Sequence, residues 1–366
     1  MLVLTVLMMM GMFAVLAFAV DLGYINLVRT ELQRSADAAA IAATWELVNE
    51  DALRGYDNPL LTRYVVRSTA GQYASLNEVT NQGPALALED VLIGYMANPF
   101  DPTSEIDLIS AQPANAVQVR VRKNAAQNGE VPLFFARALG LDATGSEAQA
   151  TAALLNNIRG FGMPSSGRKP QILPFALDTG TWQAMWAGGG TDFWSWNPNT
   201  KTVTSGPDQI REVNLLPQDI GAPGNRGTVD IGSSNNSTAD IARQILEGIS
   251  REDLAYHGGK LELDAGGKLT LNGDTGISAG VKDELASLIG QRRVIPLFSE
   301  VSGPGNNAEY TIVGFAGVRI MEVKLTGNVN SKRVIIQPAC VFMEGAIPAD
   351  GSPVSQFVFS PVWLVR

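Results

Sequence analysis

Residues able to do chemistry are few in this chain. There is one histidine, His257, and one cysteine, Cys340, in 366 residues. A histidine base must be aimed at a nucleophile and oriented by a third group. His257 lies in Tyr256-His257-Gly258-Gly259, a turn with no serine or cysteine motif beside it. The Gly-x-Ser-x-Gly elbow is absent. Gly258-Gly259-Lys260 is followed by leucine rather than by the Ser or Thr of a phosphate loop. Asp264, Asn272 and Asp274 offer oxygen ligands for Ca²⁺, but their spacing is not that of a helix-loop-helix calcium loop, and solvated turn acids are the commoner case. Cys340 sits in the apolar run Val334–Phe342, where a buried, inert thiol is expected. A lone cysteine excludes an intrachain disulfide and a cysteine metal cluster. No cofactor site emerges, and the expectation is a protein that is not an enzyme.

Aromatic residues supply a different candidate. Trp182, Trp186, Trp194 and Trp196 gather around Gly188-Gly189-Gly190. They are read as a possible surface-binding platform for sugar, against the commoner case of Trp182 and Trp186 covering a core. Net charge is −9 and the isoelectric point about 4.8, which disfavours nucleic acid as a partner.

The elements that position these residues begin with the most apolar stretch. Met1–Val20 carries no charge, and Thr5 is its one polar side chain. A helix of that length rises about 1.5 Å per residue and so spans the roughly 30 Å hydrocarbon core of a bilayer. A cleaved signal peptide is the alternative, with Ala17-Phe18-Ala19 as a small-x-small site. The length of the stretch favours a retained anchor. Leu22, Ile25, Val28, Leu32, Ser35, Ala36, Ala39, Ala43 and Leu47 then recur at three- and four-residue spacing. One helix from about Leu2 to Leu53 is predicted. Its small-residue stripe, Ser35, Ala36, Ala39 and Ala43, permits close packing of another backbone, within the chain or on a partner.

Beyond it, Asp57-Asn58-Pro59 starts a helix over Leu60–Ala74. Ala116–Arg122 alternates and reads as a half-buried strand with Val117, Val119 and Val121 inward. Val131–Leu139 is expected as a short helix closed by Gly140, and Ser146–Leu155 as a returning strand. Arg159–Pro170 is rich in loop residues and reads as a boundary. Helices are expected over Ala239–Gly248, capped by Asn236, Ser237 or Thr238, and over Ser278–Ile289. Leu261–Asp264 and Lys268–Leu271 look like a hairpin. Strands are expected at Val294–Phe298, Tyr310–Ile320, Val334–Phe342 and Phe357–Leu364.

Val20-Asp21-Leu22-Gly23-Tyr24 after an apolar span, followed by Glu31-Leu32-Gln33-Arg34-Ser35-Ala36-Asp37-Ala38-Ala39-Ala40, resembles the N-terminal region of the TadE/TadG-like Flp (tight-adherence) pilus-assembly proteins. Asp21, Gln33 and Asp37 fall on the family's motif positions. Thr228–Thr238, Gly273–Gly280, Gly290–Leu297 and Tyr310–Ala316 resemble the TadG type, in the branch without a von Willebrand fold. The resemblance implies an α+β protein: a long N-terminal transmembrane helix continuing into a pilin-like helix-plus-antiparallel-sheet module, followed by a strand-rich α/β domain. The organisation expected is an anchor over 1–20, its helical extension over 21–55, a pilin-like module over 56–157, a linker over 158–170 and an exterior domain over 171–366. It further implies a non-catalytic, minor-pilin-like component in the bacterial inner membrane, with the bulk of the chain on the periplasmic or extracellular side. Its partners would be membrane lipid and other pilus-assembly or pilin subunits, met through the N-terminal helix. A membrane-tethered carbohydrate- or surface-binding adhesion module and an exported hydrolase are the alternatives.

Overall fold

The computed structural model describes every residue except 1, 57, 102, 218–219, 221–225, 233–236, 275–278, 329–330, 350, 352 and 366. Two compact units divide the chain. One comprises Met1–Asn49, Asn58–Leu154 and Val362–Arg366; the other comprises Glu50–Asp57 and Leu155–Pro361. The fold is mixed α+β, with a long apolar N-terminal helix followed by strand-rich structure, as the sequence led us to expect.

The first unit is built on helix α1, Leu2–Trp45. Its first half is apolar in sequence, and from Met8 to Val20 all but Ala17 are exposed: Met8 is 70% and Val15 69% accessible. It is long and apolar enough to cross a membrane. The helix stops short of the expected Leu53. At its end the amides of Glu46, Leu47 and Val48 bond three residues back, to Ala43, Thr44 and Trp45, which tightens the final turn. The Thr44 hydroxyl also donates to the Ala40 and Ala152 carbonyls, so this turn is fixed against a neighbouring strand. Glu50–Arg54 forms a separate 3-10 turn.

Helix α2, Pro59–Leu76, begins where the sequence placed it: the Asn58 side chain accepts from the Leu61 amide and Pro59 fills the first turn. A four-stranded antiparallel sheet completes the unit, in the order β1 (Val91–Gly94), β2 (Ala116–Lys123), Ser146–Ala153, Trp363–Leu364. Val117, Val119 and Val121 of β2 are fully buried, in one core with Val28, Leu32, Ala36, Ala39 and Ala43 of α1 and Val66, Ala70 and Ala74 of α2. The alternation in β2 and the small-residue spacing in α1 are thus two faces of the same core. The expected helix over 131–139 is shorter than predicted: Val131–Pro132 is a strand, only Ala136–Leu139 makes a 3-10 turn, and Gly140 ends it at φ 84°.

The second unit centres on a seven-stranded sheet whose long members are Arg292–Ser302, Glu309–Lys324 and Arg333–Pro338. Arg293–Phe298 is buried continuously, as in a strand covered on both faces. The helix Thr238–Glu247, capped by the Ser237 hydroxyl, places Ile241 and Ile245 in this core; Asn236 lies outside the described residues. Several expectations are corrected here. Ile158–Gly162 is a strand between Lys260–Glu262 and Ala346–Pro348. A Cβ on Gly160 would sit 2.5 Å from the Leu261 carbonyl oxygen, so that glycine serves strand approach rather than a loop. Lys260–Glu262 and Leu269–Asn272 are joined by a tight turn but pair with different sheets. Val334–Phe342 is interrupted at Ala339 and Cys340. Phe357–Leu364 divides into Val358–Phe359 and Trp363–Leu364, in different units. Of the helix expected over 278–289, Ala279–Val281 is a 3-10 turn and Lys282–Ser287 helical; positions 275–278, like 233–236, lie outside the described residues.

Candidate functional site

Asp21 is the first charged residue after the apolar stretch, and it points inward, two turns before Val28 on the same helix face. Only 3% of it is accessible. Its carboxylate accepts three backbone N–H groups: Oδ1 from Phe134 at 2.7 Å, Oδ2 from Phe135 at 3.0 Å and from Ala136 at 2.7 Å. These amides open the 3-10 turn Ala136–Leu139, where N–H groups lack partners within the turn. An ionised carboxylate, an acceptor without a donor, matches such a cluster. Tyr24, one turn on, meets the Phe134 ring edge-to-face with centroids 5.1 Å apart. Together they tie segment 133–141 to the base of the apolar half-helix.

The other motif positions do similar work higher up. Gln33 donates through Nε2 to Asp37 Oδ1 at 2.7 Å, an i,i+4 pair, and to the Gln149 carbonyl of the adjacent strand at 3.2 Å. On the flanks, Glu31 accepts from the Thr80 amide and Arg34 donates to the Glu78 carbonyl. The small-residue stripe is covered by the chain itself. Ser35, Ala36, Ala39 and Ala43 are all fully buried, and the Ser35 hydroxyl donates to the Ala74 carbonyl of α2 at 3.1 Å. So the stripe is not a free surface. The exposed large apolar side chains of α1 are those of its apolar half, with Leu22, Leu27 and Trp45 beyond it.

The tryptophans do not form one platform. Trp182 is 1% accessible, in the core, and its indole N–H donates to Gln356 Oε1. Trp186 meets Trp182 edge-to-face and stacks on Phe357. Trp194 and Trp196 lie on a separate hairpin, Trp194–Asn197 with Thr202–Ser205. The Arg319 guanidinium sits 4.1 Å over the Trp196 ring. That pair had no local sign in the sequence, since 123 positions separate its members.

His257 and Asp264 line one open groove with Arg159 and Glu262, while Cys340 is buried apart from it. His257 follows the short helix Arg251–Ala255 and is half-buried; burial lowers its pKa, against the pull of Asp253. Cys340 is 1% accessible, and burial pushes its thiol up to about 12. Asp264 caps its own turn, accepting from the Gly266 and Lys268 amides. Among the described residues no three of His, Cys, Asp or Glu converge on a metal position. Sequence reading missed Asp230, which is buried and raised to about 6 by desolvation and by the nearby charges of Asp274, Asp240 and Asp253.

Comparison with known families places two matches within residues 1–152. Residues 1–46 match the family model described as Flp pilus-assembly TadE/G-like, and residues 42–152 match the one described as Tad-like Flp pilus-assembly. No curated protein matches the chain, and no solved structure does. The two matched segments meet near the end of α1, and the motif positions Asp21, Gln33 and Asp37 all lie in the first.

Proposed function

We propose that this chain, a TadE/TadG-like Flp pilus-assembly protein over residues 1–152, serves as a membrane-anchored, minor-pilin-like component that performs no catalysis. In this reading Met1–Val20 crosses the bacterial cytoplasmic membrane and the rest of the chain stands on its periplasmic or extracellular side. The observation that carries it is the use made of the motif residues. Asp21 and Gln33, the latter steadied by Asp37, hold α1 to strand and loop backbone of the same unit. An anchor so held transmits position: where the span sits fixes where the small α+β head sits. Because the stripe is occupied internally, contacts with other pilus subunits fall to the apolar half of α1 and to its exposed flank at Leu22 and Leu27. In this reading the second unit lies on the same side of the membrane and is available to partners there.

The test is complementation. Cells lacking the protein should lose Flp pili, and the full chain should restore them. His257→Ala should restore them equally, since no step depends on that ring. A piliation defect with His257→Ala, in protein that is folded and in the membrane, would revive the hydrolase alternative.

A further inference from the structure

The geometry points to a second membrane contact: segment 133–141 is an interfacial wedge that sits among lipid acyl chains beside the span. This rests on the reading of Met1–Val20 as a membrane-crossing helix.

Leu133-Phe134-Phe135-Ala136-Arg137-Ala138-Leu139-Gly140-Leu141 is an apolar segment outside the span, with Arg137 as its one charged residue. Phe134, Phe135, Leu139 and Leu141 are each at least half exposed. Clustered large apolar side chains on a surface mark a contact site. Their position says what the contact is. Phe135, Ala138 and Leu139 form one wall of a groove of about 500 Å³, and Phe13, Leu16 and Val20 of α1 form the other. Phe13 to Val20 covers roughly 10 Å of helix rise at ~1.5 Å per residue. That is about a third of a ~30 Å hydrocarbon core. A bilayer that takes in the whole span must therefore take in this segment or leave a third of the span uncovered. Interfacial elements bury their apolar face by a similar depth, about 5–10 Å.

The backbone is prepared for such a place. Hydrocarbon offers no partner to an open amide. The Phe134, Phe135 and Ala136 amides are taken by the Asp21 carboxylate. Those of Leu133, Ala138, Gly140 and Leu141 go to the carbonyls of Asp142, Phe135, Arg137 and Ala136. Arg137, whose side chain is 61% exposed, lies 4.0 Å from Asp142 and has the length to raise its charge to the headgroups. A lipid acyl chain then fills the groove. The apolar helix of a second copy or of another pilus subunit is the competing occupant, and the test separates them.

The full chain is reconstituted in vesicles of phosphatidylethanolamine and phosphatidylglycerol. An environment-sensitive fluorophore is placed at Leu139→Cys, and in a second variant at Phe135→Cys. Leu16→Cys in the span and Ile109→Cys, 95% exposed, are the references; the native Cys340 is buried. At 139 and 135 the emission should shift blue. It should be lost in large part to lipids carrying a nitroxide at shallow acyl positions, and be protected from aqueous iodide at every protein-to-lipid ratio. Iodide access at 139 and 135, with lipid quenching at 16, would overturn the wedge and leave the anchor standing. Iodide access at 16 as well would overturn the anchor reading itself. Protection at 139 and 135 that grows with protein density, without nitroxide quenching, would assign the groove to a protein helix and overturn the lipid assignment.

Discussion

Ala39→Leu probes how tightly α1 is held to its head. Ala39 is fully buried, in one cluster with Ala36, Ala40 and Ala43 of α1 and with Val66, Ala70 and Ala74 of α2. The two helices are close enough at this level for the Ser35 hydroxyl to reach the Ala74 carbonyl at 3.1 Å. Leucine brings three further carbons into a seam lined by alanines on both sides. Either α2 moves outward and exposes part of the core, or the new side chain leaves its rotamer well. Overpacking of this kind costs about 1–3 kcal/mol. Helix propensity offsets almost none of it, because Leu ranks just below Ala. For a unit of this size each kcal/mol lowers the melting temperature by roughly 2–4 °C, so a fall of roughly 2–12 °C is expected. Circular dichroism gives the overall transition in detergent, and hydrogen exchange on peptides from α2 and β2 assigns the loss to the first unit. Thr30→Leu, on the exposed side of the same helix, is the control and should stay within about 0.5 kcal/mol of the parent. An Ala39→Leu protein as stable as Thr30→Leu, with unchanged exchange in α2, would refute the packing argument.

Other outcomes follow from the same structure. Asp21→Ala removes the acceptor for three amides, so in detergent solution, with no bilayer over the segment, trypsin should cut after Arg137 faster than in the parent; an unchanged rate would mean that Asp21 does not hold the segment. Asp230 is pushed up to about 6 by burial and by neighbouring carboxylates, so the folded chain keeps a proton that the unfolded chain releases near its ordinary 3.8. Stability should therefore fall as pH rises from about 4 to about 6, and Asp230→Asn should abolish that fall and add about 1–3 kcal/mol at pH 7, as denaturant titration would read. Cys340, buried and raised to about 12, should resist thiol reagents at pH 8 until the second unit unfolds.

Local pattern made part of this fold legible. Alternation in Ala116–Arg122 identified a strand because one of its faces is covered, and Asn58-Pro59 marked a helix start because capping chemistry is local. Spacing in α1 identified the buried face from Val28 to Ala43. What was illegible depended on partners far along the chain. Asp21 reads as the polar end of a span, and nothing near it announces that amides 113 to 115 positions later need an acceptor. Gly160 reads as a loop residue, yet it is there because the Leu261 backbone passes too close for a side chain. Residues 261–271 have the local form of a hairpin, but longer strands elsewhere recruit each arm. The tryptophans look gathered in sequence, whereas the core takes Trp182 and a buried arginine takes Trp196.

In the proposed function the anchor works by fixing the head in place at the membrane. Replacing Met1–Val20 with a cleavable export signal, while keeping Asp21 onward intact, tests it most directly by counting pili on complemented cells. A folded, exported and released protein that restores no pili is the expected result. Normal piliation from the released protein would contradict it.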